Sequence, residues 1–249
     1  MSDLPRSIPL EGGSNLRDLG GYTTRDGRQV RYGQVFRSAA LHRLTDADHA
    51  TLADLGVRTI CDFRGDLERE KMPSRLPADA GIAVHALTIA PTIGASLRDL
   101  IANREATRAD VIDVMSQAYA AYALDWHHRY RSMFDLLLDD TAGPLLFHCT
   151  AGKDRTGFAA ALILSALDVP EAAIWEDYFA TNRLWAGDSE LAASLPPEVG
   201  ATLLTVTREF LDASFAAITT SHGGIDAYLE ERMGLDTTRR DALRARMLE

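Results

Sequence analysis

Cysteine is scarce in this 249-residue chain, which contains only Cys61 and Cys149. Two cysteines cannot form a disulfide framework, so the sequence does not fit a small disulfide-stabilised secreted domain. No apolar run approaches the length of a membrane span, and the first residues contain no apolar signal core. We therefore expect free thiols, a reducing compartment and a cytoplasmic location.

Positive charge is also in short supply, since 26 Lys and Arg residues stand against 36 Asp and Glu residues, a net charge of -10. This balance argues against a nucleic-acid-binding protein, which usually presents a basic face. Any anion-binding site would therefore be a small positively charged region on an acidic molecule. Only an anionic group that reaches this region would be attracted to it.

No repeat, low-complexity tract or linker divides the chain, so we predict a single domain over residues 1–249. Apolar and β-branched runs predict strands over residues 34–37, 57–63, 82–87 and 144–147. Apolar spacing and capping signals predict helices over residues 46–55, 66–71, 96–140, 158–167 and 170–185, with two or three more towards the C-terminus. Strands separated by helices predict an α/β fold with a mostly parallel central sheet flanked by helices.

One stretch places reactive side chains between a predicted strand and a predicted helix, His148-Cys-Thr-Ala-Gly-Lys-Asp-Arg-Thr-Gly157. At such a junction backbone N–H groups point outward without partners, beside the positive end of the helix dipole. Cys149 and Arg155 are six positions apart, so a tight loop can place both around one tetrahedral anion. The predicted anion-binding residues are Thr150, Ala151, Gly152, Lys153, Asp154 and Arg155. The same donors would stabilise a thiolate, which makes Cys149 a candidate nucleophile.

This stretch resembles the His-Cys-x5-Arg-Ser/Thr-Gly loop of the cysteine-dependent phosphatases, also called the protein tyrosine phosphatase superfamily. Its Gly-Lys-Asp-Arg-Thr core is most similar to that of the bacterial atypical tyrosine and phosphoinositide phosphatases. Four further blocks resemble the same family: Asn15-Leu-Arg-Asp-Leu-Gly-Gly21, Val35-Phe-Arg-Ser38, Asp62-Phe-Arg64 and Asp177-Tyr178. Some members are exported without an obvious signal, so export stays an alternative to the cytoplasm.

The resemblance implies a phosphatase fold and hydrolysis through a phosphocysteine on Cys149, with Arg155 and the loop amides stabilising the transferred phosphoryl group. It implies that Thr156 hydrogen-bonds the sulfur and that His148 orients the loop from behind. No metal and no cofactor are expected, because the loop amides and Arg155, which together form the anion cradle, already supply positive charge.

The leaving group needs a proton, and many relatives take it from an Asp after the strand that corresponds to residues 82–87. Here that segment reads Thr88-Ile-Ala-Pro-Thr-Ile93 and contains no carboxylate. Asp154 is therefore the preferred general acid, and its alternative role is an ion pair with Lys153 or Arg155. Asp62 and Asp66 are second candidates, better explained as braces for Arg64 and the loop.

Lys153 adds a second cation to the loop, and the resemblance implies that it meets an additional phosphate on phosphoinositide substrates. The alternative is a solvated side chain. The predicted substrates are phosphotyrosine, with phosphoserine, phosphothreonine or phosphoinositides as further options, and inorganic phosphate or another oxyanion should bind the loop. A phosphate-binding module without turnover and a rhodanese-like sulfurtransferase stay open as other functions, and the oligomeric state is open.

Four smaller expectations concern other segments. Cys61 is either a redox partner that captures oxidised Cys149 or a small buried hydrophobe. Residues 187–204, interrupted by Gly and Pro, are a candidate flap over the site. Residues 15–18 either have a functional role or, as we expect, form a brace in which the adjacent Arg17 and Asp18 pair. His85 is either a catalytic base or, as we expect, a core histidine.

Overall fold

The computed structural model describes residues 6–90, 99, 102 and 105–249. Within these residues, five strands form one sheet in the order β1-β2-β5-β3-β4. They are β1 (Arg17–Asp18), β2 (Val35–Ser38), β3 (Thr59–Asp62), β4 (Ala83–Ala86) and β5 (Leu145–His148). β1 pairs with β2 in the antiparallel sense and all other pairs are parallel. The predicted α/β fold with a mostly parallel sheet is confirmed, and the short edge strand β1 is an addition to the prediction.

Helices surround this sheet. They are α1 (Asp46–Asp54), α2 (Asp66–Lys71), α3 (Arg108–Leu124), α4 (His127–Leu138), α5 (Asp154–Ala166), α6 (Glu171–Leu184), α7 (Ser189–Ser194), α8 (Pro197–Leu203), α9 (Arg208–His222), α10 (Ile225–Glu231) and α11 (Thr237–Met247). In the part of the chain described here, no helix has the length and apolar character needed to cross a bilayer.

Local signals account for most of these boundaries. Thr45 caps α1 by accepting the Asp48 amide in a capping box, and α2 spans the predicted residues. The predicted helix over residues 96–140 is two helices, α3 and α4, and the start of that prediction lies outside the described residues. α5 begins four residues earlier than predicted, so the last residues of the reactive loop form its first turn.

Both faces of the central strands are covered, because their alternate residues point into different cores. Phe36, Ile60 and Leu146 stand side by side and pack with α1 on one face. Cys61 and Phe147 face the larger core on the other side, which contains α3, α4 and α5. A strand buried on both faces reads as a continuous apolar run, which explains the sequence signal at residues 144–147.

The prediction that His85 is a core histidine is wrong. His85 lies on β4, whose residues are exposed apart from the half-buried His85 itself. Within the described residues β4 pairs only with β3, so it is an edge strand and one side of it faces solvent.

Candidate active site

The reactive loop leaves the carboxyl end of β5, which lies between β2 and β3. Loops after parallel strands meet at one edge of the sheet, so segments after β2 and β3 also reach this loop. Gly152 has a φ of 65°, and a Cβ there would lie 2.4 Å from the Ser38 carbonyl oxygen. Only glycine fits this turn, because a side chain would collide with the end of β2.

Cys149 stands at the head of the loop, is 2% exposed and is a free thiol. His148 lies behind it, and its Nδ1 is 3.0 Å from the Cys149 carbonyl oxygen. Burial lowers the pKa of His148, so the ring is neutral and Nδ1–H donates to this carbonyl. The His148 Nε2 lies 3.7 Å from the Asp62 carboxylate, which itself holds Arg64 at 2.7 Å. Asp62 and Arg64 thus form a buried support behind the loop.

Two side chains pull the carbonyls of the loop backwards. Asn15 Nδ2 donates to the carbonyl oxygens of Gly152 at 2.9 Å and Ala151 at 3.2 Å. Arg37 Nη2 donates to the Gly152 carbonyl oxygen as well, at 2.9 Å. In a trans peptide the C=O and the following N–H point in opposite directions. The amides of Gly152 and Lys153 therefore point towards the front of the loop, where an anion would bind.

Asp177 holds this support together. It accepts from Arg17 Nε at 2.8 Å and also pairs with Arg37. Burial would raise the pKa of Asp177, but the charges of Arg17 and Arg37 lower it overall. The predicted brace is therefore present with a different partner, since Arg17 pairs with Asp177 and the Asp18 carboxylate accepts the amides of Gly20 and Gly33 instead.

Arg155 is held by Glu68, a residue that the sequence patterns did not single out. Its Nη1 and Nη2 donate to the two Glu68 carboxylate oxygens at 2.7 and 2.8 Å. The Thr150 hydroxyl also donates to Glu68. Burial would raise the pKa of Glu68, but its hydrogen bonds with Arg155 and the charge of Arg155 lower the value to about 2. The carboxylate stays ionised near neutral pH, and Arg155 Nε has no acceptor among the described residues, so that N–H is open to an anion.

The position of Glu68 in the sequence could have indicated that it lies near the loop. It is the third residue of α2, the helix that follows β3 at the edge of the sheet where the loop lies. Its neighbour Asp66, a second candidate acid, is exposed and pairs with Arg69 on the surface of the same helix.

We predict that Glu68→Gln lowers kcat/KM for p-nitrophenyl phosphate by about 10- to 100-fold, the range expected when a hydrogen bond to a charged group is lost. The amide keeps the shape of the side chain but cannot accept both Arg155 donors. Glu70→Gln is the matched control, since Glu70 is exposed on the same helix. An unchanged or raised kcat/KM for Glu68→Gln would show that Glu68 does not position Arg155 for catalysis.

Asp154 lies in the first turn of α5, with its side chain 22% exposed. The Tyr119 hydroxyl donates to Asp154 Oδ1 at 2.9 Å, and Lys153 Nζ is 4.0 Å from Oδ2. The ion-pair alternative is therefore limited to this long contact with Lys153. Thr156 is fully buried, and its hydroxyl has no hydrogen-bond partner among the described residues. That hydroxyl is free to meet a new acceptor in the cradle.

Lys153 is 3% exposed, so its interpretation as a solvated side chain is wrong. Its Nζ donates to the carbonyl oxygens of Leu203 at 2.7 Å and Thr205 at 3.0 Å, at the end of α8. Burial lowers the pKa of Lys153. Contact with a second phosphate stays a prediction for this residue, and it requires that the two hydrogen bonds to the α8 end open.

The candidate flap, residues 187–204, contains the two short helices α7 and α8, although residues 187–200 read as a break in the helical pattern. Pro197 stands in the first turn of α8, where its missing N–H costs nothing. Val199 and Leu203 of α8 are buried in the main core. Movement of this segment over the site stays a prediction.

Cys61 is fully buried on β3 and lies opposite Phe147 of β5, two residues before Cys149. Strand spacing and rise place the two cysteine Cα atoms about 8 Å apart. A disulfide needs roughly 4.4–6.8 Å, so the chain would have to move. Burial and the Asp62 charge raise the pKa of Cys61 to about 12, which keeps it a thiol at neutral pH. A Cys61–Cys149 bond stays a prediction, and the buried-hydrophobe role agrees with the packing.

A free cysteine at the end of a central parallel strand, a loop whose amides face forward, and an arginine held by a glutamate define the site of a cysteine-dependent phosphatase. The model of the tyrosine phosphatase family matches residues 8–249. The chain therefore belongs to the tyrosine phosphatase family.

Two relatives and one solved structure illustrate its similarities. The chain is 36% identical over 233 residues to a Cupriavidus necator protein whose name assigns it to the tyrosine-protein phosphatases, covering 90% of this chain and 82% of the relative. It is 30% identical over 260 residues to the triple specificity protein phosphatase PtpB of Mycobacterium tuberculosis, covering 89% and 92%. The core catalytic domain of the PP-IP phosphatase SIW14 from S. cerevisiae is 14% identical, with a TM-score of 0.46 and coverage of 95% and 96%.

Proposed function

We propose that this phosphatase hydrolyses phosphomonoesters through a phosphocysteine on Cys149, with phosphotyrosine as its main substrate class. Phosphoserine, phosphothreonine and phosphoinositides are secondary classes. The observation that carries the proposal is the loop itself, in which Cys149 and the Arg155 guanidinium share one turn whose carbonyls are tied back by Asn15 and Arg37. The similarity to a phosphatase named for triple specificity supports a range of substrates.

In the first step the Cys149 thiolate attacks phosphorus in line and forms the S–P bond. The P–O bond to the alcohol or phenol breaks, and Asp154 gives its proton to the departing oxygen. The forward amides and Arg155 stabilise the charge on the phosphoryl oxygens as the transition state forms. Their positions are fixed before the reaction by Asn15, Arg37 and Glu68, so little reorganisation is required.

In the second step water attacks the phosphocysteine and the S–P bond breaks. Asp154, now ionised, takes a proton from that water, which restores the acid for the next cycle. The unpartnered Thr156 hydroxyl would donate to the departing sulfur and stabilise the thiolate. The products are the alcohol or phenol and inorganic phosphate.

A substrate panel tests this proposal against its two alternatives. We expect turnover of p-nitrophenyl phosphate and of a phosphotyrosine peptide, slower turnover of phosphoserine and phosphothreonine peptides and of a phosphoinositide, and none of thiosulfate with cyanide as acceptor. Phosphate binding without any turnover would favour a binding module, and thiosulfate turnover would favour a sulfurtransferase. The cytoplasmic location stays a prediction.

A further inference from the structure

We propose that Tyr119 is a positioning residue for Asp154, and that Tyr119 with Tyr178 behind it selects Asp154 Oδ2 as the oxygen that carries the catalytic proton. The inference rests on the proposed function, in which Asp154 is the general acid and base. Tyr119 acts through Asp154 and touches no reacting atom in this proposal.

Three side chains form a chain of hydroxyl and carboxyl groups. The Tyr119 hydroxyl lies 2.9 Å from Asp154 Oδ1 and 2.8 Å from the Tyr178 hydroxyl. An ionised carboxylate only accepts, so Tyr119 must use its one hydrogen on Oδ1. Tyr178 must then donate to the Tyr119 oxygen. The chain therefore runs in one direction, from Tyr178 through Tyr119 to Asp154.

This direction distinguishes the two carboxylate oxygens. A proton on Oδ2 leaves Oδ1 as an acceptor, so both tyrosine hydrogen bonds persist in the acid form. A proton on Oδ1 would leave Tyr119 donating to the hydroxyl oxygen of the carboxyl group, a weaker acceptor than the carbonyl oxygen, or it would point at the Tyr119 oxygen, and both hydroxyls would then reverse. The hydrogen of Tyr178 would be left without an acceptor, because its hydroxyl contacts only Tyr119 among the described residues and Tyr178 is 1% exposed. A buried donor without a partner is costly, so the proton resides on Oδ2.

The two hydroxyls keep their protons near neutral pH. Burial raises the pKa of Tyr119 well above its usual value, and the Asp154 charge raises it further. Burial likewise raises the pKa of Tyr178 well above its usual value. Tyr119 is thus a permanent neutral donor, which can hold the carboxyl but cannot replace it as an acid or base near neutral pH.

Packing fixes the Tyr119 ring independently of its hydroxyl. The ring centroid lies 5.2 Å from that of Tyr122 and 5.8 Å from that of Phe210, and Ser214 Oγ donates to the Tyr119 carbonyl oxygen at 2.9 Å. Phenylalanine at position 119 would keep these contacts and lose only the two hydrogen bonds of the hydroxyl, to Asp154 and to Tyr178. The Tyr178 ring also packs closely against α5, since a Cβ on Gly157 would lie 2.9 Å from it.

The geometry leaves Oδ2 for the chemistry. Lys153 Nζ is 4.0 Å from Oδ2, too far for a hydrogen bond, and no other donor in the described chain bonds this oxygen. The Asp154 side chain is partly exposed, so a leaving-group oxygen can approach it. With Oδ1 held by Tyr119, rotation of the carboxyl group is restricted, and Oδ2 is presented in a narrower range of orientations during both proton transfers.

The test is Tyr119→Phe, assayed with p-nitrophenyl phosphate, whose leaving group needs no proton, and with an alkyl phosphate, whose leaving group does. We expect kcat/KM to fall by about 5- to 30-fold for the alkyl phosphate and less than about 3-fold for the aryl one, a fraction of what general acid catalysis supplies. The Kd for vanadate should not change. Tyr228→Phe is the matched control, since Tyr228 is fully buried and its hydroxyl donates to the Ala123 carbonyl oxygen at 2.8 Å.

Combination with Asp154→Asn completes the test. The double variant should be no slower on the alkyl phosphate than Asp154→Asn alone, because Tyr119 acts only through Asp154. Equal losses on both substrates, or additive losses in the double variant, would overturn the proposal. If Asp154→Asn shows no leaving-group dependence, the proposal falls while hydrolysis through Cys149 stands, since the Cys149→Ser variant tests that step separately. Should Tyr119→Phe not fold, Tyr178→Phe replaces it, with a smaller loss of the same pattern.

Discussion

Cys149→Ser should have no measurable phosphatase activity while it still binds phosphate and vanadate. A serine hydroxyl is hardly ionised near neutral pH, so the in-line attack on phosphorus loses its nucleophile. The expected loss in kcat is on the order of 10⁵–10⁶-fold, as when the nucleophile is removed from other enzymes that form covalent intermediates. Binding should survive, because the forward amides depend on Asn15 and Arg37 and the guanidinium depends on Glu68, and none of these contacts involves the Cys149 sulfur.

Turnover of p-nitrophenyl phosphate measures the loss of activity, and the Kd for vanadate measures whether anion binding survives. Cys61→Ser is the control, because Cys61 is also a buried free thiol but lies on β3 outside the loop. It should keep most of its activity. Rapid quenching of the wild-type protein with a phosphorylated substrate should trap phosphate on the peptide that contains Cys149. Substantial hydrolysis by purified Cys149→Ser, or a label on another peptide, would refute the nucleophile assignment.

The sequence was informative where local chemistry alone determines the structure. The loop could be predicted because Cys149, Gly152 and Arg155 lie close together in the sequence, between an apolar strand and an apolar helix. The strands β3 and β5 were found because burial on both faces gives largely apolar runs. The α1 and α2 helices were found from capping and charge patterns that operate within one turn.

The missed features are contacts between distant segments. Arg17 and Asp177 are 160 positions apart, and Glu68 and Arg155 are 87 apart. A charged residue in a sequence does not reveal which distant charge it meets, so the adjacent Asp18 was preferred as the partner of Arg17. Lys153 was read as a loop cation because nothing in its neighbourhood shows that the end of α8 covers it.

Tyr119 shows a different limit. Tyr119 belongs to the apolar spacing that predicts a helix over residues 96–140, and its ring does pack in the core. Periodicity records only which face of a helix is buried and says nothing about the atom at the tip of the side chain. The hydroxyl carries the contact with Asp154, so a core residue can also belong to the site.

The support of the loop is concentrated on α6, where Asp177 and Tyr178 are adjacent. Asp177 pairs with Arg37, which donates to the Gly152 carbonyl oxygen, and with Arg17, which donates to Asn15. Tyr178 belongs to the hydroxyl chain that reaches Asp154. One turn of helix therefore supports both the anion cradle and the candidate acid. This gives a physical reason for the Asp177-Tyr178 block, whose chemistry the sequence alone does not explain.

Asp154→Asn should divide substrates according to their leaving groups. Asparagine has the same shape and its oxygen can still accept the Tyr119 hydrogen bond, but it has no proton to give at Oδ2. An alkoxide leaves poorly without a proton, so kcat/KM for alkyl phosphates should fall by about 10²–10⁴-fold. p-Nitrophenolate leaves without protonation, so kcat/KM for p-nitrophenyl phosphate should fall about 10-fold or less, because that ratio reports only the steps up to phosphocysteine formation.

The second step adds an independent signature. Asp154 also takes the proton of the attacking water, so hydrolysis of the phosphocysteine should slow for every substrate and limit kcat. Mixing the variant with p-nitrophenyl phosphate should then release a rapid burst of p-nitrophenol, close to one equivalent per enzyme, before a slow steady state. Asp66→Asn is the control, since Asp66 is exposed and pairs with Arg69 on α2, and it should behave like the wild type. Equal losses of kcat/KM across leaving groups, with no burst, would mean that Asp154 only braces the loop.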